Sequence, residues 1–255
     1  MKNLLRLNPQ FQRAFTLIFF SLAIAVTPVR ADDTMAAPTT PVKAELHYLK
    51  EGKPNATELL APPPLPDSAE QAADMATVRE VYHATGSNDI AAAYLEKKFD
   101  IFNFTPAIGN FFFAGKFPKT EKFFDHVQTD AETVTDNAKD FYKRPRPYVT
   151  DPTLANGKLE KSFSYPSGHS TESMVLALVL ADLFPNKHDA IIAIAHTIGW
   201  HRVEIARHYP TDIYAGRVLA QAIVKDMEKS EKFQKDLAEA KAEIATAQTT
   251  AKNSP

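Results

Sequence analysis

Residues 166–184 read PSGHSTESMVLALVLADLF. A short polar lead, Pro166-Ser167-Gly168-His169, runs into an apolar segment from Met174 to Phe184 whose one charge is Asp182. A second apolar segment, Ala190 to Trp200, follows after a few polar positions. Each is about three helical turns, short of the roughly 20 residues that span a bilayer. Both read as buried core helices. Ser167 is a good helix cap, and Gly168 lets another backbone or a ligand come close.

Outward from this centre, segments 68–84, 89–99, 119–142, 169–184, 187–206, 211–229 and 231–248 carry helix-like spacing of apolar residues. Alternating strand patterns are absent, glycine is scarce at 8 residues, and there is no internal repeat. The expected fold is all-α, a single-domain helical bundle. Leu59 to Pro66 is proline-rich and should be extended, because each proline restricts its predecessor. Residues 101–124 hold eight phenylalanines. They could line an apolar wall beside a site, but core packing is the expected role. The tail from Lys225 alternates charge and alanine, as the solvated face of a terminal helix does.

The 255 residues are enough for one sizeable core, and 44% hydrophobic with 24% charged is ordinary for a globular chain. A formal charge of −2 gives no bulk attraction for nucleic acid. Cysteine is absent, which excludes disulfides, thiolate catalysis and cysteine-ligated zinc.

The first thirty residues stand apart. Lys2, Arg6 and Arg13 precede an apolar run, Ala14 to Val26, and then Thr27-Pro28-Val29-Arg30-Ala31. This is the layout of a signal peptide over 1–31, cut after Ala31. An uncleaved membrane anchor is the alternative, for which a run of 13 residues is too short. Residues 32–43, rich in Thr, Ala and Pro, read as a flexible lead-in, with the folded domain at 44–250. Cleavage would leave 25 basic and 31 acidic side chains, so an anionic substrate would need a local basic pocket.

Three blocks carry chemistry. They are Lys139 with Arg146-Pro147, then Pro166-Ser167-Gly168-His169, then Arg202 with His208 and Asp212. Taken singly, each has an ordinary structural explanation. Together they supply three cations, two imidazoles, a hydroxyl and a carboxylate. Two guanidinium forks and a lysine suit a small oxyanion such as phosphate. The helix amino-terminus behind Ser167 adds N–H donors, and the Ser167 hydroxyl adds another. Pro210 opens a helix just after His208, so Asp212 in its first turn can reach back to one imidazole nitrogen. That contact fixes the tautomer and presents the other nitrogen as a nucleophile. His169 then suits the role of general acid and base. No His-Glu-x-x-His spacing exists, and neighbouring cations would repel a metal ion, so no metal site is expected.

The ten specified residues of these blocks match the signature of the type 2 phosphatidic-acid-phosphatase (PAP2) superfamily. The chain resembles its bacterial class A non-specific acid phosphatases most. The likeness extends to His47-Tyr48-Leu49-Lys50, Leu59 to Pro64, Ser164-Tyr165 and Phe233 to Glu243. The resemblance implies an all-helical fold of the acid phosphatase and vanadium haloperoxidase type. It implies an exported, periplasmic or secreted, metal-independent acid phosphatase that cleaves small phosphomonoesters through a phosphohistidine. By position, His208 is the nucleophile, Asp212 its carboxylate partner and His169 the acid/base. Lys139, Arg146, Ser167, Gly168 and Arg202 hold phosphate. No cofactor is implied, with vanadate binding as a phosphate analogue. No nucleic acid or stable membrane insertion is expected, and a homo-oligomer is allowed for.

There are departures from the pattern. His201 stands where the family has Ser before the arginine of the last block, cysteines are missing, and 85–124 matches poorly. Arg144-Pro145 offers a second register for the first block, but only Arg146 has a lysine seven residues earlier. A vanadium haloperoxidase and a non-catalytic phosphate-binding module are the competing readings.

Overall fold

The computed structural model describes residues 45–252. The expected signal peptide (1–31) and lead-in (32–43) lie outside the described residues. Ten α-helices run through the described chain, with no strand among the described residues: α1 Ala56–Leu59, α2 Ala69–Ala84, α3 Ser87–Leu95, α4 Thr105–Ile108, α5 Pro118–Tyr142, α6 Pro147–Thr150, α7 Gly168–Leu183, α8 His188–Glu204, α9 Pro210–Met227 and α10 Glu231–Lys252. No helix among them is long and apolar enough to cross a membrane.

The starts of these helices follow from local chemistry. Ser68 accepts the Gln71 N–H at 3.1 Å and opens α2. Proline occupies the first turn of α5, α6 and α9, where its missing N–H is no loss. Lys143, in the left-handed region at φ 51°, ends α5.

Helix α7 is the centre and packs against α5, α8 and α9, while α10 covers α5. It is buried nearly all round, with Val175, Leu176, Val179 and Leu180 out of water. Burying side chains of this size contributes about 1.5–3 kcal/mol each. The expectation of a buried helix holds for α7 and only half for α8. There Ile191, Ala195 and Ile198 face inward, while His196, Thr197 and Trp200 are exposed. Gly216 brings α9 onto the start of α7, since a Cβ there would lie 2.9 Å from the Ser167 carbonyl oxygen and 3.0 Å from Ser170 Cβ.

Seven of the eight phenylalanines join the core as expected, and Phe113 is exposed. A smaller apolar cluster, including Met75, Val78, Tyr148, Tyr209 and Ile213, ties α2 to α9. The amino-terminal segment is pinned by one buried carboxylate. Asp130 of α5 accepts the backbone N–H groups of His47, Tyr48 and Leu49 at 2.8, 2.8 and 3.0 Å.

The element over 89–99 differs most from expectation. Helix α3 begins at Ser87 and stops at Leu95, so Glu96 to Phe99 leave the helix. Tertiary contacts override the local periodicity there. Glu96 is drawn to His201 and Arg202, and Phe99 is buried against His169.

Candidate active site

The first turn of α7 and the loop before α9 meet back to back. The Ser167 N–H donates to the Asp212 carbonyl at 3.1 Å, and Ser167 Oγ accepts the Ser170 N–H at 3.3 Å as helix cap. After α8 the chain reverses at Ala206, in the left-handed region at φ 52°. The N–H groups of Arg207 and His208 both donate to the Arg202 carbonyl, at 2.8 and 3.2 Å. This fold-back buries His208 just ahead of α9.

Asp212 lies fully buried in the first turn of α9. Its Oδ2 accepts the Tyr209 N–H at 2.9 Å and the Ser164 hydroxyl at 2.6 Å, and stands 3.4 Å from His208 Nδ1. Its Oδ1 accepts from Arg144 Nη1 at 2.6 Å. Burial alone would raise this carboxyl. His208, Arg144 and Ser164 together hold it below the usual carboxylate range, so it stays ionised. With Nδ1 turned to Asp212, the other nitrogen of His208, Nε2, lies 3.1 Å from Arg146 Nη1. Burial and then the Arg146 charge push His208 down to about 4, against the pull of Asp212. A neutral imidazole with its orientation fixed from behind is a competent nucleophile.

His208 opens into a cavity of 470 Å³ that Lys139, Arg146, Gly168 and His169 also line. Lys139 reaches it from α5, held by Asp136 at 3.0 Å. A Cβ at Gly168 would stand 3.2 Å from both Lys139 Nζ and Glu172 Oε1, so those two side-chain ends close over the glycine. Burial, then the charges of Arg202 and His208, lower His169 well below the ordinary histidine value. A bound anion would work in the opposite direction.

The model of the PAP2 superfamily matches residues 129–226, a span that contains all eight predicted site residues. A protein named non-specific acid phosphatase in Providencia stuartii is 31% identical over 219 residues, covering 80% of this chain and 86% of that one. The chain belongs to the PAP2 superfamily. A protein named acid phosphatase in Zymomonas mobilis is 28% identical over 201 residues, covering 75% of this chain and 76% of that one. Among solved structures, a transmembrane PAP2-type phosphatidylglycerolphosphate phosphatase from Bacillus subtilis matches with a TM-score of 0.48 at 21% identity, over 68% of this chain and 89% of that one.

In this PAP2 chain five of the eight predicted residues line one cavity, and Asp212 sits directly behind it. Ser167 is fully buried at the helix cap. Arg202 departs from the expected convergence on that cavity. Its guanidinium donates to the Ala93 carbonyl, approaches Glu96 at 3.6 Å and lines an adjoining cavity. The carbonyl and carboxylate at the end of α3 draw it away from that cavity.

Other residues of the site carry no mark in sequence. Arg144, the rejected register, is buried and joins Asp212 to Asp74 of α2, which it meets at 2.7 Å. Glu160 places a carboxylate oxygen 2.7 Å from Arg146 Nη1. Glu172 lines the cavity too. Burial raises its carboxyl to about 7, opposed by the Gln128 amide at 3.2 Å. Among the described residues no group of three or more His, Asp or Glu is placed to hold a metal ion.

Proposed function

We propose that this PAP2 protein is an exported acid phosphatase that hydrolyses small phosphomonoesters through a phosphohistidine on His208, without a metal. One observation carries the reading. His208 is buried with Nδ1 toward Asp212 and Nε2 beside Arg146, in the same cavity as Lys139 and His169. Simple phosphate binding needs the cations but not a neutral imidazole backed by a carboxylate. The names of the relatives, acid phosphatase and non-specific acid phosphatase, support the same class.

In the first step His208 Nε2 attacks phosphorus and the P–O ester bond breaks. His169 gives its proton to the departing alkoxide, and the alcohol leaves. Asp212 stabilises the positive imidazole ring so formed. Lys139 and Arg146 stabilise charge on the equatorial oxygens. In the second step His169 takes a proton from water, the oxygen attacks phosphorus, and the P–N bond breaks. Inorganic phosphate and neutral His208 return.

The test is to trap the intermediate. Rapid alkaline quench of the wild type with a labelled phosphomonoester, in EDTA, should give a base-stable phosphoenzyme that loses its label on later acid treatment. His208→Ala should give none and lose turnover, whereas His169→Ala should still be labelled by p-nitrophenyl phosphate. Ordinary turnover by His208→Ala, or activity lost in EDTA and restored by zinc, would overturn the reading.

A further inference from the structure

Glu96 ends α3 and faces three groups at once. Its main-chain carbonyl oxygen lies 3.1 Å from His169 Nε2. Its carboxylate meets His201 Nδ1 at 2.7 Å and Arg202 Nη2 at 3.6 Å. The next three residues, Lys97, Lys98 and Phe99, line the catalytic cavity. The Phe99 ring stands 5.4 Å from the His169 ring, centroid to centroid. One face of the cavity and one face of His169 are therefore fastened to α8 through the Glu96 carboxylate, beside the Arg202 hydrogen bond to the Ala93 carbonyl. The Glu96 and His201 side chains are only 15% and 11% exposed, so the pair is largely withdrawn from solvent screening.

We propose that Glu96, clamped by His201 and Arg202, is a positioning residue that holds the His169 ring ready to protonate the leaving group. The inference rests on reading His169 as that proton donor. If Nε2–H donates to the Glu96 carbonyl, Nδ1 is the nitrogen that exchanges a proton with substrate. The clamp keeps the carbonyl in place, so the ring neither turns nor withdraws. His201 occupies the position before Arg202 at which the sequence departs from its family pattern, which gives that departure a role.

The clamp is also sensitive to pH. Glu96 faces His201 from the end of α3, while Arg202 and Glu204 face it from α8, the latter at 3.9 Å; Glu204 in turn faces Asp89. The hydrogen bond to Glu96 raises His201 above its ordinary value, against burial. A raised imidazole keeps its proton, and the pair, below the reference value of about 6.5 and loses both as pH rises through the folded value. Turnover that depends on His169 should weaken on the alkaline side.

The test uses leaving groups. Glu96→Gln, His201→Gln and the double variant are assayed with wild type and His169→Ala on glycerol 2-phosphate and on p-nitrophenyl phosphate. An alkoxide needs the proton, and nitrophenolate hardly does. Each single variant should lose about 10–100-fold in kcat on glycerol 2-phosphate and less than about threefold on p-nitrophenyl phosphate, with KM little changed. The double variant should be no worse than the worse single, as expected of two residues acting as a unit. The alkaline limb on glycerol 2-phosphate should flatten in His201→Gln. Equal losses on both esters, with or without a fall in melting temperature, would make Glu96 merely structural and overturn the proposal. So would unchanged activity on glycerol 2-phosphate. The underlying reading fails separately if His169→Ala shows no preference between leaving groups.

Discussion

Arg144 and Arg146, two positions apart and both followed by proline, should fail in opposite ways. The Arg144 side chain is 4% exposed and sits between Asp74, 5% exposed, and Asp212, fully buried, at 2.7 and 2.6 Å. It also donates to Thr211 Oγ1 at 2.7 Å and Gln71 Oε1 at 2.6 Å, and its guanidinium lies 3.9 Å from the Tyr209 ring centre. Arg144→Met keeps much of the volume and leaves two carboxylates buried without their cation. Breaking a buried ion pair from one side costs about 3–5 kcal/mol. For a domain of this size that is a fall in Tm of roughly 6–20 °C. Arg146 donates to neutral oxygens, the Ser162 and Arg207 carbonyls and the Ser162 hydroxyl, and its one acidic partner, Glu160, is half-exposed. Arg146→Met should cost less than about 2 kcal/mol in stability yet abolish turnover. Thermal melts paired with p-nitrophenyl phosphate assays read both axes. A third protein, Arg144→Met with Asp74→Leu, should recover part of the lost stability, because one orphaned charge is gone. An Arg144→Met protein melting within about 2 °C of wild type would refute the account. So would an Arg146→Met protein melting as low as Arg144→Met.

Two further outcomes follow from the cavity. In the proposed function Glu160 pairs with an arginine that an incoming phosphate oxygen must meet, so Glu160→Gln should tighten competitive inhibition by inorganic phosphate about two- to fivefold, the scale of one partly exposed ion pair; an unchanged or weaker inhibition constant would show that the carboxylate does not compete. Because burial and Arg146 hold His208 at about 4, the proposed nucleophile is neutral above that pH in the empty enzyme and protonates below it. The acid limb of kcat/KM, corrected for ionisation of the substrate, should therefore fall near pH 4, and a limb centred above 6 would contradict the burial argument.

Most of the helices were legible because their signals are local. Ser68, Ser167 and Pro210 mark starts that the structure places within a residue or two of expectation. The end of helix α3 escaped because it answers to His201 and Arg202, more than a hundred positions away, and not to the local periodicity. The cavity was legible in its cations and imidazoles, since lysine, arginine and histidine in ordered blocks have few common explanations. Its acids were not. Asp74, Glu96 and Glu160 are single carboxylates with no motif around them, and only the fold pairs them with Arg144, His201 and Arg146. Arg144 shows the same limit from the other side. The spacing to Lys139 chose Arg146 for the cavity, but nothing local said that the neighbouring arginine would be buried beneath it.

The fastening of His47, Tyr48 and Leu49 to Asp130 sets a boundary for anyone who shortens or tags the protein. Tyr48 also reaches Asp236 of α10 at 2.9 Å, and His47 stacks on His126 of α5 at 3.8 Å between ring centres. These few residues thus act as a buckle across two helices whose own contact lies far along the chain. A purification handle joined ahead of residue 45 leaves the buckle closed. A chain trimmed to start at Lys50 leaves the buried Asp130 side chain without three donors and α10 without its hydrogen bond to Tyr48.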